Sequence, residues 1–156
     1  MRRTLVLGLG NDLLGDDGVG LRVVEELKRR PSLAGFEFET AATAGLALLD
    51  ILHGHERAYI VDSVVTGRRR PGYLHRLSAS SLAELPLNPS SHYAGLPEVL
   101  ALGQALNLGL PLTVEVLGVE VEDPYTIQPG LSPRLEAKLP ALVDRVEKIL
   151  LEGRDA

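Results

Sequence analysis

The chain has no cysteine, its only methionine is Met1, and nowhere do as many as about 18 apolar residues follow one another without a charge. Without thiols there is no disulfide framework, no thiolate metal site and no cysteine nucleophile, so any metal must be held by oxygen and nitrogen. Without a long apolar run there is no membrane-spanning helix. The opening Met1-Arg2-Arg3-Thr4 leads into a short strand-like run instead of the apolar core of a signal peptide. The expectation is a soluble, cytoplasmic protein with no membrane partner. Excess basic charge is missing too: 16 Lys and Arg against 21 Asp and Glu leave a formal charge of −5. That is the wrong sign for a phosphate-backbone binder, so no nucleic-acid partner is expected. The one basic run, Arg68-Arg69-Arg70, precedes Pro71-Gly72 and reads as a solvated turn.

What is present alternates between two periodicities. Thr4 to Leu9 is a short apolar run ended by glycine, a buried strand, and the apolar repeat from Val19 to Leu27 predicts a helix. A second apolar run ends near Glu39, a short helix covers about Leu46 to Leu52, and Ala58-Tyr59-Ile60-Val61 forms a third strand ending at Asp62. About ten residues rich in Gly, Arg and Pro separate Asp62 from the next strand, near Tyr73 to Leu77. That is too short for a crossover helix, so this strand is expected to be antiparallel and at an edge. Ala94 to Leu106 is helical in pattern, with Pro97 tolerable in the first turn, and Thr113 to Val121 is a β-branched strand. The last helix opens at Ser132-Pro133, an N-cap followed by Pro at the first helical position, and runs to about Leu151 with Pro140 expected to kink it.

These elements predict an α/β three-layer sandwich: a mostly parallel twisted sheet of about five strands, one antiparallel edge strand, and helices on both faces. At 156 residues, with no repeat, low-complexity segment or linker, residues 1–156 form a single domain. Ligands of such sheets sit beyond the carboxyl ends of the strands. Asp17 follows the first strand through a short loop and Asp62 closes the third, so both carboxylates belong at that rim. His92 joins them if the strand at Thr113 is parallel to the others, because the helix feeding it must then start at the carboxyl edge, just after His92.

Two Asp oxygens and one His nitrogen suit zinc, manganese, nickel or iron and leave positions open for water or a substrate group. Such a site can polarise a carbonyl and activate water. Taken singly, an Asp after a strand is more often a cap or turn residue, and a loop His more often a surface residue. The loop from Gly8 to Gly18 invites comparison with a dinucleotide fingerprint, with Glu39 as the ribose contact. Leu13 occupies the place of the third glycine, however, and Asp16 and Asp17 would repel a pyrophosphate. The alternative for the loop is a tight turn with Asp16 or Asp17 serving a helix N-terminus. His53, His55 and Glu56 form a second cluster, read as a solvated helix terminus. No G-x-S-x-G elbow and no H-E-x-x-H motif is present.

Several blocks occur together: Leu7-Gly8-Leu9-Gly10-Asn11, Asp16-Asp17-Gly18-Val19-Gly20, Thr43-Ala44-Gly45, Asp62-Ser63-Val64, Ser91-His92-Tyr93-Ala94-Gly95-Leu96 and Gly118-Val119-Glu120. In combination and order they resemble the nickel-iron hydrogenase maturation endopeptidases. The resemblance implies an enzyme that removes a short C-terminal extension from the nickel-loaded hydrogenase large-subunit precursor. It implies Asp17, Asp62 and His92 as metal ligands, and nickel carried by the precursor, with zinc, cadmium or manganese able to substitute. Asp16 is a candidate proton acceptor beside them, or a helix-terminus carboxylate. A monomer or weak homo-oligomer is expected. The rival functions are a nickel-dependent chaperone that binds the precursor without cutting it and a dinucleotide-binding protein. One departure stands out: many relatives carry Asp-Gly-Gly-Thr where this chain has Thr40-Ala41-Ala42-Thr43.

Overall fold

The computed structural model describes residues 3–42, 47–78 and 96–155. Five strands, β1 (Thr4–Leu9), β2 (Glu37–Ala41), β3 (Arg57–Val64), β4 (Leu74–Ser78) and β5 (Thr113–Glu120), form one sheet in the order β2-β1-β3-β5-β4. Every neighbouring pair is parallel except β4 with β5. The antiparallel edge strand is the one expected from its short connection. The helices are α1 (Val19–Leu27), α2 (Ala47–Leu52), α3 (Leu96–Ala105) and α4 (Pro133–Arg154). Among the described residues no helix is long and apolar enough to cross a membrane.

Alternation along the strands divides the core. Val6, Tyr59, Val61, Leu117 and Val119 face α1 and α4, whereas Leu5, Leu7, Ile60 and Val116 face α2 and the Leu100 side of α3. Both faces of the central strands are therefore covered, which is why β1 and β3 read as nearly unbroken apolar runs instead of alternating ones. The edges read differently. β2 carries Glu37 and Glu39, and β4 carries His75 and Arg76, polar side chains that discourage further strand pairing.

Helix α1 presents Val19, Val23, Val24 and Leu27 to the sheet. Its start lies unusually close to the strands: a Cβ on Gly20 would run into the carbonyl oxygens of Val61 and Leu9. Glycine here lets the helix descend until the loop before it rests directly on the ends of β1 and β3. Helix α4 begins at the Ser132 N-cap with Pro133 at its first position, buries Leu135, Leu139, Leu142, Val143, Val146, Ile149 and Leu150, and runs through Pro140 as one element. It extends three residues beyond the sequence expectation, to Arg154.

Candidate active site

Three connections gather at the carboxyl rim of the sheet: the one after β1, the one after β3 and the one after β5. The first folds through a single 3-10 turn, Gly15–Gly18. Gly15 has a left-handed φ of 60° and packs under the Gln128 side chain, where a Cβ would collide. The turn is tied to the connection after β5 by Gly15 N–H donating to the Gln128 carbonyl (3.0 Å) and Gln128 N–H donating to the Leu13 carbonyl (3.0 Å). The exposed apolar side chains of Leu13, Tyr125 and Ile127 belong to these two connections.

Asp17 and Asp62, 45 positions apart in sequence, are coupled through one residue. Ser63 Oγ donates to Asp17 Oδ1 (2.7 Å), and Ser63 N–H donates to Asp62 Oδ1 (2.7 Å). The second Asp17 oxygen accepts from the Asn11 backbone N–H (2.9 Å). Asp62 is buried and Asp17 half-buried, so one acid is set into the protein and the other opens toward solvent. Asp62 pairs with Gly118 in register, on the same sheet face as Ile60 and Val116. Neither Ser63 nor Asn11 is singled out by residue type or spacing in the sequence. The signal for both was their place inside the matched blocks, next to an expected ligand or within the opening loop.

Asp16 points elsewhere. It is buried, and its two oxygens accept from Ser132 N–H (2.7 Å) and Ser132 Oγ (2.9 Å). Ser132 Oγ in turn accepts from Leu135 N–H (3.4 Å) as the N-cap of α4. Asp16 thus serves a helix N-terminus, that of α4, although it lies immediately before α1.

His92 lies outside the described residues, as do Thr43-Ala44-Gly45 and the block from Ser91 to Gly95. The condition on which its placement rested is met, since β5 is parallel to β3 over eight residue pairs. Among the described residues no three His, Asp or Glu side chains meet in a metal-binding group. His55, from the second histidine cluster, instead pairs with Glu37 (2.7 Å). Glu39 and Thr40 are exposed on the edge strand β2.

A third buried acid completes the rim. Glu120, at the end of β5, accepts from Thr66 Oγ1, Thr66 N–H (2.8 Å), Gly67 N–H (3.4 Å) and His75 Nε2 (2.9 Å). Burial pushes its carboxyl up, but the donors from Thr66, His75 and Gly67 outweigh that and hold it below the ordinary glutamate range. Its backbone holds the other end of the same connection: Gly72 N–H donates to the Glu120 carbonyl (2.8 Å), and Glu120 N–H to the Tyr73 carbonyl (2.8 Å).

An open α/β sheet with linked carboxylates at its carboxyl rim is a site for a cationic or electrophilic ligand in the usual place for this architecture. The comparisons make the class specific. The hydrogenase maturation protease model matches residues 21–149. The hydrogenase 2 maturation protease of Escherichia coli (strain K12) is 33% identical over 97% of this chain and 92% of its own length. The structure of the E. coli hydrogenase maturating endopeptidase HybD superposes with a TM-score of 0.79 at 31% identity, covering 97% of this chain and 93% of that one. The [NiFe] hydrogenase maturation protease HybD from Thermococcus kodakarensis gives 0.71 at 26% identity, with 94% and 98% covered. The chain belongs to the hydrogenase maturation protease family.

Proposed function

We propose that this protein is an endopeptidase that removes a short C-terminal extension from the nickel-loaded large-subunit precursor of a [NiFe] hydrogenase. The observation that carries the reading is the link from Asp17 to Asp62 through Ser63, which brings two carboxylates to the same rim. In this reading nickel arrives as part of the substrate. Asp17, Asp62 and His92 hold it with two hard oxygens and one imidazole nitrogen, and the precursor's own groups fill the remaining positions. Zinc, cadmium or manganese would be accepted by the same donors. The cation orients the extension and polarises the scissile carbonyl or a water; hydrolysis consumes one water, breaks the C–N bond and releases a new carboxylate and a new amine.

Asp16 is assigned a positioning role, because both its oxygens are already engaged by Ser132. The cytoplasm, where metal insertion would precede processing, is the proposed location.

The test incubates the purified protein with nickel-loaded precursor and measures the subunit mass. Shortening by the wild type, reduced about 100-fold or more in Asp17→Asn, Asp62→Asn and His92→Ala proteins that retain their fold, supports the reading. Full cleavage by all three variants overturns the site. Tight binding of the precursor without shortening would instead make the protein a nickel-dependent chaperone.

A further inference from the structure

The connection between β3 and β4 carries Arg68, Arg69 and Arg70, all exposed, in a chain whose formal charge is −5. A solvated turn of this kind would ordinarily be loosely held. This one is fastened at both ends by Glu120, whose side chain binds Thr66 and Gly67 and whose backbone binds Gly72 and Tyr73. Helix α4 fastens it again, with Lys138 Nζ donating to the Pro71 carbonyl (2.6 Å). The Arg69 guanidinium rests 4.8 Å from the Tyr73 ring centroid, a cation–π contact that orients it without neutralising it.

Several arginines elsewhere on the described surface are neutralised by carboxylates: Arg22 by Glu136, Arg30 by Asp144 and Glu147, and Arg76 by Glu115. Arg68, Arg69, Arg70 and Lys138 have no carboxylate partner among the described residues. They line a groove of about 480 Å³ between this connection and α4, which adjoins a second hollow over Tyr73, Leu74 and Leu142 that reaches Arg145. The groove therefore has five cations, no lining carboxylate and an apolar floor, at the same sheet edge as Asp17 and Asp62.

We propose that this groove docks an acidic segment of the precursor protein, its carboxylates meeting the arginines and an adjacent apolar side chain resting on Leu74 and Leu142. The proposal rests on the endopeptidase reading above. A peptide fits better than a nucleic acid or a membrane. Five cations converge on one short groove of a chain whose formal charge is −5, whereas a phosphate backbone needs an extended basic track. The exposed apolar residues Leu13 and Ile127, which a bilayer would need, lie on other connections. Guanidinium groups on a fastened connection, one of them oriented by Tyr73, give recognition and encounter rate when they meet carboxylates, with little effect on the bond-breaking step.

The test has two independent arms. In the first, an acetylated hexaglutamate peptide is titrated into the full-length protein at low salt, beside hexalysine, a 20-nucleotide RNA and phosphatidylglycerol vesicles. Hexaglutamate should bind, and an Arg68→Gln/Arg69→Gln/Arg70→Gln protein with an unchanged melting profile should lose that binding. In the second arm, the same variant should process nickel-loaded precursor with KM raised about tenfold and kcat within about twofold, and its KM should no longer rise with salt. Should the triple variant fail to fold, Arg68→Glu/Arg70→Glu is read in its place. Equal hexaglutamate binding by wild type and variant, stronger binding of RNA or vesicles, or a fall in kcat at unchanged KM overturns the proposal. If the wild type leaves the precursor uncut, the endopeptidase reading fails, while the peptide arm still decides whether the groove takes carboxylates.

Discussion

Ser63 shows how much a single small side chain arranges. Its hydroxyl holds the acid of the loop after β1, and its amide holds Asp62, which lies two residues before the end of β3 and not at the end where the sequence pattern put it, so one residue contacts both expected ligands. Residues that orient ligands in this way typically matter 10 to 100-fold when removed. Ser63→Ala should therefore lower processing about tenfold while costing only about 1 kcal/mol in urea unfolding, and Ser63→Thr, which keeps the hydroxyl, should recover most of the activity. A purely structural serine would give loss of stability and loss of activity in proportion, so measuring both on the same proteins separates the roles.

At the scale of elements, the first two turns of α4 tie down two connections of the rim. Its N-cap Ser132 is bound to Asp16, which fixes the opening loop, and its Lys138 holds the connection between β3 and β4. Pro140 sits in its interior, exposed, with no N–H for the carbonyl of Glu136. The lost bond weakens α4 between its capped start and its buried second half. Pro140→Ala should stabilise the protein by about 1 to 3 kcal/mol, with a rise of roughly 2 to 4 °C in melting temperature per kcal/mol. A melting temperature at or below that of the wild type would show that the proline shapes the packing of Leu139 and Leu142 and is needed as it stands.

Across the whole molecule, the buried acids Asp16, Asp62 and Glu120 all lie at one end, the carboxyl rim. The Glu120 carboxyl is held below its ordinary range in the folded protein. Its contribution is accordingly complete above the unfolded-state value and lost as the pH falls through the folded one. Glu120→Gln should be less stable than the wild type by about 2 kcal/mol near neutral pH. The gap should narrow as the pH falls below the glutamate range. Hydrogen exchange should show the amides of Thr66 and Gly67 losing protection before those of β1 and β3. A stability difference that is constant with pH would mean that Glu120 acts through shape instead of charge.

The local periodicities were enough, read alone, to place the strands β1, β3 and β5, the helix α1 to its ends, and the antiparallel turn of β4, because each depends on contacts a few residues apart or on a connection too short to cross the sheet. They also placed Asp17 and Asp62 at one rim, since parallel strands put all their carboxyl ends on the same side. What local pattern could not reveal was partnership across long separations. Asp16 turned to Ser132, 116 positions away, instead of joining its neighbour Asp17. Glu120 proved to be the anchor of a connection that begins more than fifty positions earlier, and the arginine run that reads as a loose turn became one wall of a groove completed by α4. A hydrogen bond or an unpaired charge is defined by what stands opposite it, and only the packing of the sheet and its helices decides that.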